Sequence, residues 1–305
     1  MKPVVELIKS LLIAEFPSGS SINYYDGKLY LIGDDANNML VLDNNYQQVD
    51  SFRLFDFSEK RIPKKQKADF ETSTVMNVNG ANHLLILGSA SREERKKGVL
   101  IPLLNTGTDG NKDYVPVFYN ATFFEQLKTK GIDDVNVEGC TVIGDDLVLG
   151  NRGNTTNPYN HLIFTRDLFI NMQNEPTLSV AKLIQPDQLN GFAGVSELCY
   201  VASKDILLIT FSSEITSNSY DDGTIGNSYI GWISDVSNKM HFPELVLDDI
   251  VDLPAIHTDF ENEKIEGVCV ESVNGNEFII HLVSDNDGGE SKLFNVKVII
   301  STDTR

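Results

Sequence analysis

One pattern recurs five times along this chain and limits its fold more than any other feature. Each copy begins near a serine or glutamate, runs through a strand-length apolar stretch to a tight turn, and returns through a second apolar stretch into a polar cluster. The copies start at Ser18 (SGSSINYYDGKLYLIGDD), Asp69 (DFETSTVMNVNGANHLLILGSAS), Asn136 (NVEGCTVIGDDLVLGNRG), Gly194 (GVSELCYVASKDILLITFSSE) and Lys264 (KIEGVCVESVNGNEFIIHLVSD). Asp-Gly, Asn-Gly and related turns between apolar runs are hairpin signals. Self-similarity at a period of tens of residues signals a repeat architecture. Aligned on the turns, the copies place Ser20, Glu71, Glu138, Ser196 and Glu266 at equivalent anchor positions.

Further strand-like runs follow each hairpin: MLVLD and VDSFRLF, GVLIPLL and YVPVFYN, HLIFT and LSVAKLI, SYIGWI and PELVLDD. Four strands per copy make a blade, and radial blades remove the open sheet edges that invite aggregation. The expectation is an all-β, five-bladed β-propeller with four antiparallel strands per blade, six blades being the alternative count. The fifth copy ends with only three strands, at KLFNVKVII, so an N-terminal strand near residues 10–16 is expected to complete the last blade. Val4, Leu7, Ile8, Leu11 and Leu12 also fit a helix face, which periodicity alone does not resolve. A short helix is expected at Thr122 to Lys130, where Thr122 and Glu125 have capping-box spacing. No linker divides the chain, so residues 1–305 read as one domain.

The net charge of −19 repels nucleic acid and anionic membranes and favours cations. Neither nucleic acid nor a membrane is an expected partner. Cys140, Cys199 and Cys269 have neither disulfide-framework nor CxxC spacing and read as small apolar residues of inner strands. Glu6, Lys9 and Glu15 interrupt the first 16 residues, so a signal peptide is not expected and a cytoplasmic location is. No GxSxG, HExxH, Walker A or GxGxxG pattern carries a familiar chemistry.

The innermost strand of a blade lines the central channel, so the anchors should face one another around the axis. Glu71, Glu138 and Glu266 cannot all stay ionised at close range without a cation, and an all-oxygen set suits Ca²⁺. Polar clusters after the second strands should converge on one mouth: Asp34 and Asp35, Ser89 to Arg92, Asn151 and Arg152, Ser212 to Glu214, and Ser284 to Asp287. Asp34 or Asp35 would serve there as general base, and Arg92 and Arg152 would clamp a phosphate or carboxylate on a small anionic ligand. Nine of the 25 basic residues, Lys60, Arg61, Lys64, Lys65, Lys67, Arg92, Arg95, Lys96 and Lys97, gather around the second copy.

Ser20 before YYDGKLYLIGDD, then KADFET, VEG, GVS and KIEG, resemble the blade motifs of the calcium-activated nucleotidases, or apyrases. The pattern is also similar to bacterial phytase-like and SdiA-regulated propellers. The nucleotidase resemblance implies a five-bladed propeller with a central calcium near Ser20, Glu71, Glu138, Ser196 and Glu266. It implies a substrate side at Asp34, Asp35, Arg92 and Arg152, and hydrolysis of a phosphorylated ligand. A noncatalytic binding propeller with a structural ion is the competing expectation.

Overall fold

The computed structural model describes residues 3–103, 114–166, 176–186, 189, 191–215, 224–286 and 288–300. Its strands are short apolar runs punctuated by turns. At Asp26-Gly27 and Asn79-Gly80 both residues have positive φ, the backbone twist that suits a two-residue hairpin connection.

In chain order, β1 is Val4–Ile13, and the first blade follows as β2 (Gly19–Tyr25), β3 (Lys28–Gly33), β4 (Asn38–Leu42) and β5 (Gln48–Arg53). The second blade is β6 (Phe70–Val78), β7 (Ala81–Gly88), β8 (Lys97–Pro102) and β9 (Val115–Phe118). The third is β10 (Val137–Ile143), β11 (Asp146–Asn151), β12 (Asn160–Arg166) and β13 (Thr177–Ile184). The fourth is β14 (Gly194–Val201), β15 (Ile206–Ile215), β16 (Thr224–Ser234) and, after β17 (Glu244–Val246), β18 (Asp249–Asp252). The fifth is β19 (Lys264–Asn274), β20 (Glu277–Asp285) and β21 (Ser291–Ile299), with β1 as its outer strand. The molecule is a five-bladed propeller, and pairing within blades is antiparallel apart from the β17 contact described below.

The strand expected near residues 10–16 lies instead at Val4–Ile13, paired with β21 from Val4 opposite Ile299 to Ile13 opposite Ser291. Residues 14–16 turn away, with Phe16 N–H donating to Ile13 O and the Phe16 ring buried. A register shift between Leu7 and Lys9 makes Ile8 the extra residue. Val4, Ile8, Leu11 and Leu12 are all exposed along this outer strand, so their helix-like spacing reflects a bulged edge.

PELVLDD also divides differently from the expectation. Glu244–Val246 pairs in parallel with β13 of the third blade, while Asp249–Asp252 supplies the fourth strand of its own blade. The helix, α1, spans Ala121–Thr129, and Asn120 rather than Thr122 caps it, its side chain accepting from Thr122 N. No helix among the described residues is long and apolar enough to cross a membrane.

Buried apolar side chains form five clusters, one between each pair of neighbouring blades. Second strands such as LLILG in β7 are buried on both faces, which explains their unbroken apolar runs. Cys140, Cys199 and Cys269 lie on the inner strands β10, β14 and β19 as free thiols.

Candidate functional site at the channel mouth

The anchors share a local structure as well as a sequence position. Pairing of each inner strand skips one residue: between Gly19 and Ser21, Phe70 and Thr72, Val137 and Gly139, Val195 and Glu197, and Ile265 and Gly267. The skipped residues are Ser20, Glu71, Glu138, Ser196 and Glu266. A β-bulge leaves its extra residue outside the ladder and re-aims the side chain. Five bulges therefore release five polar side chains at one level of the ring. The glycines after two of the glutamates answer to space. A Cβ on Gly267 would lie 2.9 Å from Ile22 N and 2.6 Å from the Val283 side chain, and one on Gly139 would lie 3.1 Å from the Glu197 backbone.

Serine and glutamate anchors behave differently. The Ser20 hydroxyl donates to Phe70 O at 2.5 Å and that of Ser196 to Ile265 O at 2.7 Å, so each serine fastens its blade to the next just before that blade's own anchor. Glu71, Glu138 and Glu266 are also buried. Glu138 accepts from Asn136 Nδ2 at 2.7 Å, and Glu266 pairs with Lys264 at 2.7 Å. Glu71 and Glu138 have no ion-pair partner among the described residues.

Asp34, from the loop after β3, joins Asp69 and Glu71 so closely that one oxygen of each lies within 4.8 Å of the others. The Lys67 ammonium pairs with Asp34 and, at 2.8 Å, with Asp69. Arg95, presented by the 3-10 turn Glu93–Arg95, reaches Asp69 at 2.6 Å, and the Ser89 hydroxyl donates to the same carboxylate. Burial alone would raise Asp69, but Lys67 and Arg95 overcome it and hold its pKa below the ordinary value. Burial outweighs Lys67 at Asp34 and pushes that group up to about 6, with Asp35 and Asp69 adding repulsion. Glu71 is driven well above the usual range by burial and by Asp69, Glu138 and Asp34. Glu138 rises to about 7 through burial and the charge of Glu266, against the pull of Arg152 and Lys264.

The other expected mouth residues are placed as follows. Asp35 is buried and accepts from Arg61 Nε at 2.6 Å, while its Oδ1 has no hydrogen-bond partner; the same is true of Asp34 Oδ1. Arg152 is buried between the third and fourth blades, donating to the Ser212 hydroxyl at 2.9 Å and to Ser212 O at 3.2 Å. Arg92 is exposed, and Arg95, three residues on, takes the buried place beside Asp69. Asp287 and the Glu214 side chain lie outside the described residues. The structure thus sets Asp34, Asp69 and Glu138 within electrostatic reach of Glu71, with Asp35 acting on Asp34 and Arg152 on Glu138, while Arg92 is exposed.

One central residue was not anticipated. Glu197, the residue after the fourth anchor, is 1% exposed and reaches across the axis. It accepts from Ser21 Oγ (2.6 Å), Thr72 Oγ1 (2.6 Å), Cys140 N (3.0 Å) and Leu198 N (3.0 Å), which belong to blades one to four. Burial still dominates and lifts its pKa to about 8. Its signal in the sequence is an acid displaced by one position, Ser196-Glu197 in place of Glu-Gly.

A family described as a family of unknown function, DUF6929, matches residues 15–298. No curated protein matches the sequence. Among solved structures, the chain is similar to the glutaminyl cyclase of Myxococcus xanthus, with a TM-score of 0.54 at 12% identity over 98% of this chain and 98% of that one. It is also similar to the tail fiber of Staphylococcus aureus phage P68, with a TM-score of 0.50 at 10% identity over 98% of this chain and 53% of that one. At these identities the likeness is one of fold.

Proposed function

The chain belongs to DUF6929, a family of unknown function, and from the acids at its channel mouth we propose that it is a calcium-binding propeller whose mouth receives a small anionic ligand. The observation that carries this reading is the pair Glu71 and Glu138, buried, mutually repelling and without ion-pair partners among the described residues. Carboxyls in that state hold protons or a cation. Their donors are all oxygen, the chemistry a hard divalent ion takes. Glu71, Glu138 and Glu266 would hold the ion, with Asp34 and Asp69 beside them. Lys67 already offsets part of the charge on the two aspartates. Ser20 and Ser196 commit their hydroxyl hydrogens to neighbouring blades, which leaves them at most lone pairs for a metal. A bound calcium ion would supply positive charge that polarises and orients oxygens of an anion. The resemblance to calcium-activated nucleotidases points the same way.

Calcium titration with a thermal-unfolding readout tests the reading. Ca²⁺ is expected to raise Tm in the wild type, and Glu138→Gln or Glu71→Gln to abolish most of the shift. An unchanged Tm in the wild type, or an undiminished shift in both variants, overturns it. Proton competition at Glu138 also makes calcium affinity rise with pH up to about 7.

A second reading, hydrolysis of a phosphoester, is favoured by Asp34. A carboxyl with a pKa of about 6 is suited to act as general base near neutral pH. Turnover of nucleoside di- or triphosphates, phytate or simple phosphoesters with Ca²⁺, lost in Asp34→Asn, supports hydrolysis. No turnover of any of these, with the calcium-induced Tm shift intact, leaves binding alone.

A further inference from the structure

The channel does not have the same character along its length. Past Glu197, toward the hairpin turns of the inner strands, it opens into a cavity of about 310 Å³. The five residues three positions beyond the anchors all line it: Asn23, Thr74, Thr141, Cys199 and Cys269. No Asp, Glu, Lys, Arg or His lines the cavity among the described residues, in contrast to the charged mouth. Burial pushes the Cys199 thiol up to about 12 and Cys269 well above its ordinary value, so both are neutral.

The polar groups here are few and directed. Asn23 Nδ2 is committed to Ser73 O (2.8 Å) and Ser73 Oγ (2.7 Å), which leaves its Oδ1 as an acceptor. Thr141 Oγ1 accepts from Tyr200 N at 3.1 Å and keeps its hydrogen to donate. The Thr74 hydroxyl has no hydrogen bond within the described residues, and it is not sealed from the cavity. Tyr24 and Tyr200, from the first and fourth blades, also line the cavity, together with Val75, Val142, Leu198 and Val268. An acceptor, a donor and a free hydroxyl beside apolar side chains match a molecule whose hydroxyls both donate and accept and whose C–H face is apolar. An ionic ligand would give up water with no counter-charge in return. Small-molecule pockets span roughly 300–1,000 Å³, so this volume admits one small ring and no oligomer.

We infer that this cavity is a second ligand site, separated from the charged mouth by Glu197, and that it takes an uncharged polyhydroxylated molecule of monosaccharide size. The inference does not depend on calcium binding at the mouth.

Titration calorimetry on the full chain, in calcium-free buffer, tests it. The uncharged probes are D-glucose, D-galactose and myo-inositol, and the charged analogues are glucose 6-phosphate and gluconate. At least one uncharged probe is expected to bind, with both charged probes at least tenfold weaker. Cys199→Phe, which fills the cavity, is expected to abolish binding in a variant whose circular dichroism matches the wild type. Should that variant not fold, Thr74→Val, which removes one hydroxyl at nearly constant shape, is expected to weaken binding at least fivefold. Failure of all three uncharged probes, equal or tighter binding of the charged analogues, or affinity unchanged in the testable variant overturns the inference.

Discussion

A single carboxyl, that of Glu197, gathers donors from four blades, and its two simplest substitutions should separate sharply. Glu197→Gln keeps an oxygen for Thr72, Cys140 N and Leu198 N and turns an amide toward Ser21, whose hydroxyl also accepts. It should cost about 1 kcal/mol or less by the usual net value of one hydrogen bond. Glu197→Ala strands the donors in a buried site and should cost roughly 3–5 kcal/mol, in the range for breaking a buried polar network. Denaturant unfolding of the two variants checks the order. The charge matters as well. The folded pKa of about 8 stands above the ordinary 4.5, so between those values the folded chain keeps a proton that the unfolded chain releases. This group's contribution to stability is therefore complete below about pH 4.5 and lost as pH rises through about 8. The Tm of Glu197→Gln should fall less than that of the wild type between pH 5 and pH 8. An equal fall in both would show that Glu197 does not titrate in this window.

Among the elements, the bulged inner strand is the part repeated most faithfully. Its sequence trace is the anchor itself, which is why aligning hairpins on their turns picks out the five residues that the bulges leave unpaired. The bulge was not legible, because it consists of a register between strands and leaves no composition of its own. Gly267 shows what the bulge demands, since a Cβ there meets Ile22 N at 2.9 Å and Val283 at 2.6 Å. Gly267→Ala should destabilise by about 1–3 kcal/mol, the usual cost of overpacking, whereas Gly275→Ala, where nothing lies within 4 Å, pays only for its positive φ. Chemical denaturation of both variants compares the two costs. The outer strands were read less well. Val4–Ile13 carries an apolar spacing that its own bulge disguises, and Glu244–Val246 joins a neighbouring blade through a parallel pairing that no local pattern announces. The mouth was partly legible for a related reason. Arg92 and Arg95 are both basic and three residues apart, and only the 3-10 turn decides that Arg95 faces Asp69.

For the whole molecule, the ring is unevenly cemented. The seam between the last and first blades holds 10 buried apolar residues among those described, against 18 between the third and fourth. It also contains a polar relay in which the Tyr46 hydroxyl meets His281 Nδ1 at 2.8 Å and His281 Nε2 meets Glu271 at 3.0 Å. Burial holds the His281 pKa below its ordinary value, against the attraction of Glu271, so the ring tends to neutrality. Less apolar contact should make this seam the first to open. Native-state hydrogen exchange should show weaker protection in β2 and β19 than in β11 and β15. Stronger protection at the seam would mean that the outer strand β1 secures it more than the core does.

That outer strand also sets a clock. Val4–Ile13 emerges before the other strands described, and its partner Ser291–Ile299 emerges after them. At roughly 5–20 residues per second, the interval between them is roughly 15–60 s. Through that interval Val4, Ile8, Leu11 and Leu12 sit on a strand with no ladder to join. The polar residues interspersed with them are Glu6, Lys9 and Ser10, and charge along an unpaired strand is what discourages the wrong partner while the right one is still being made.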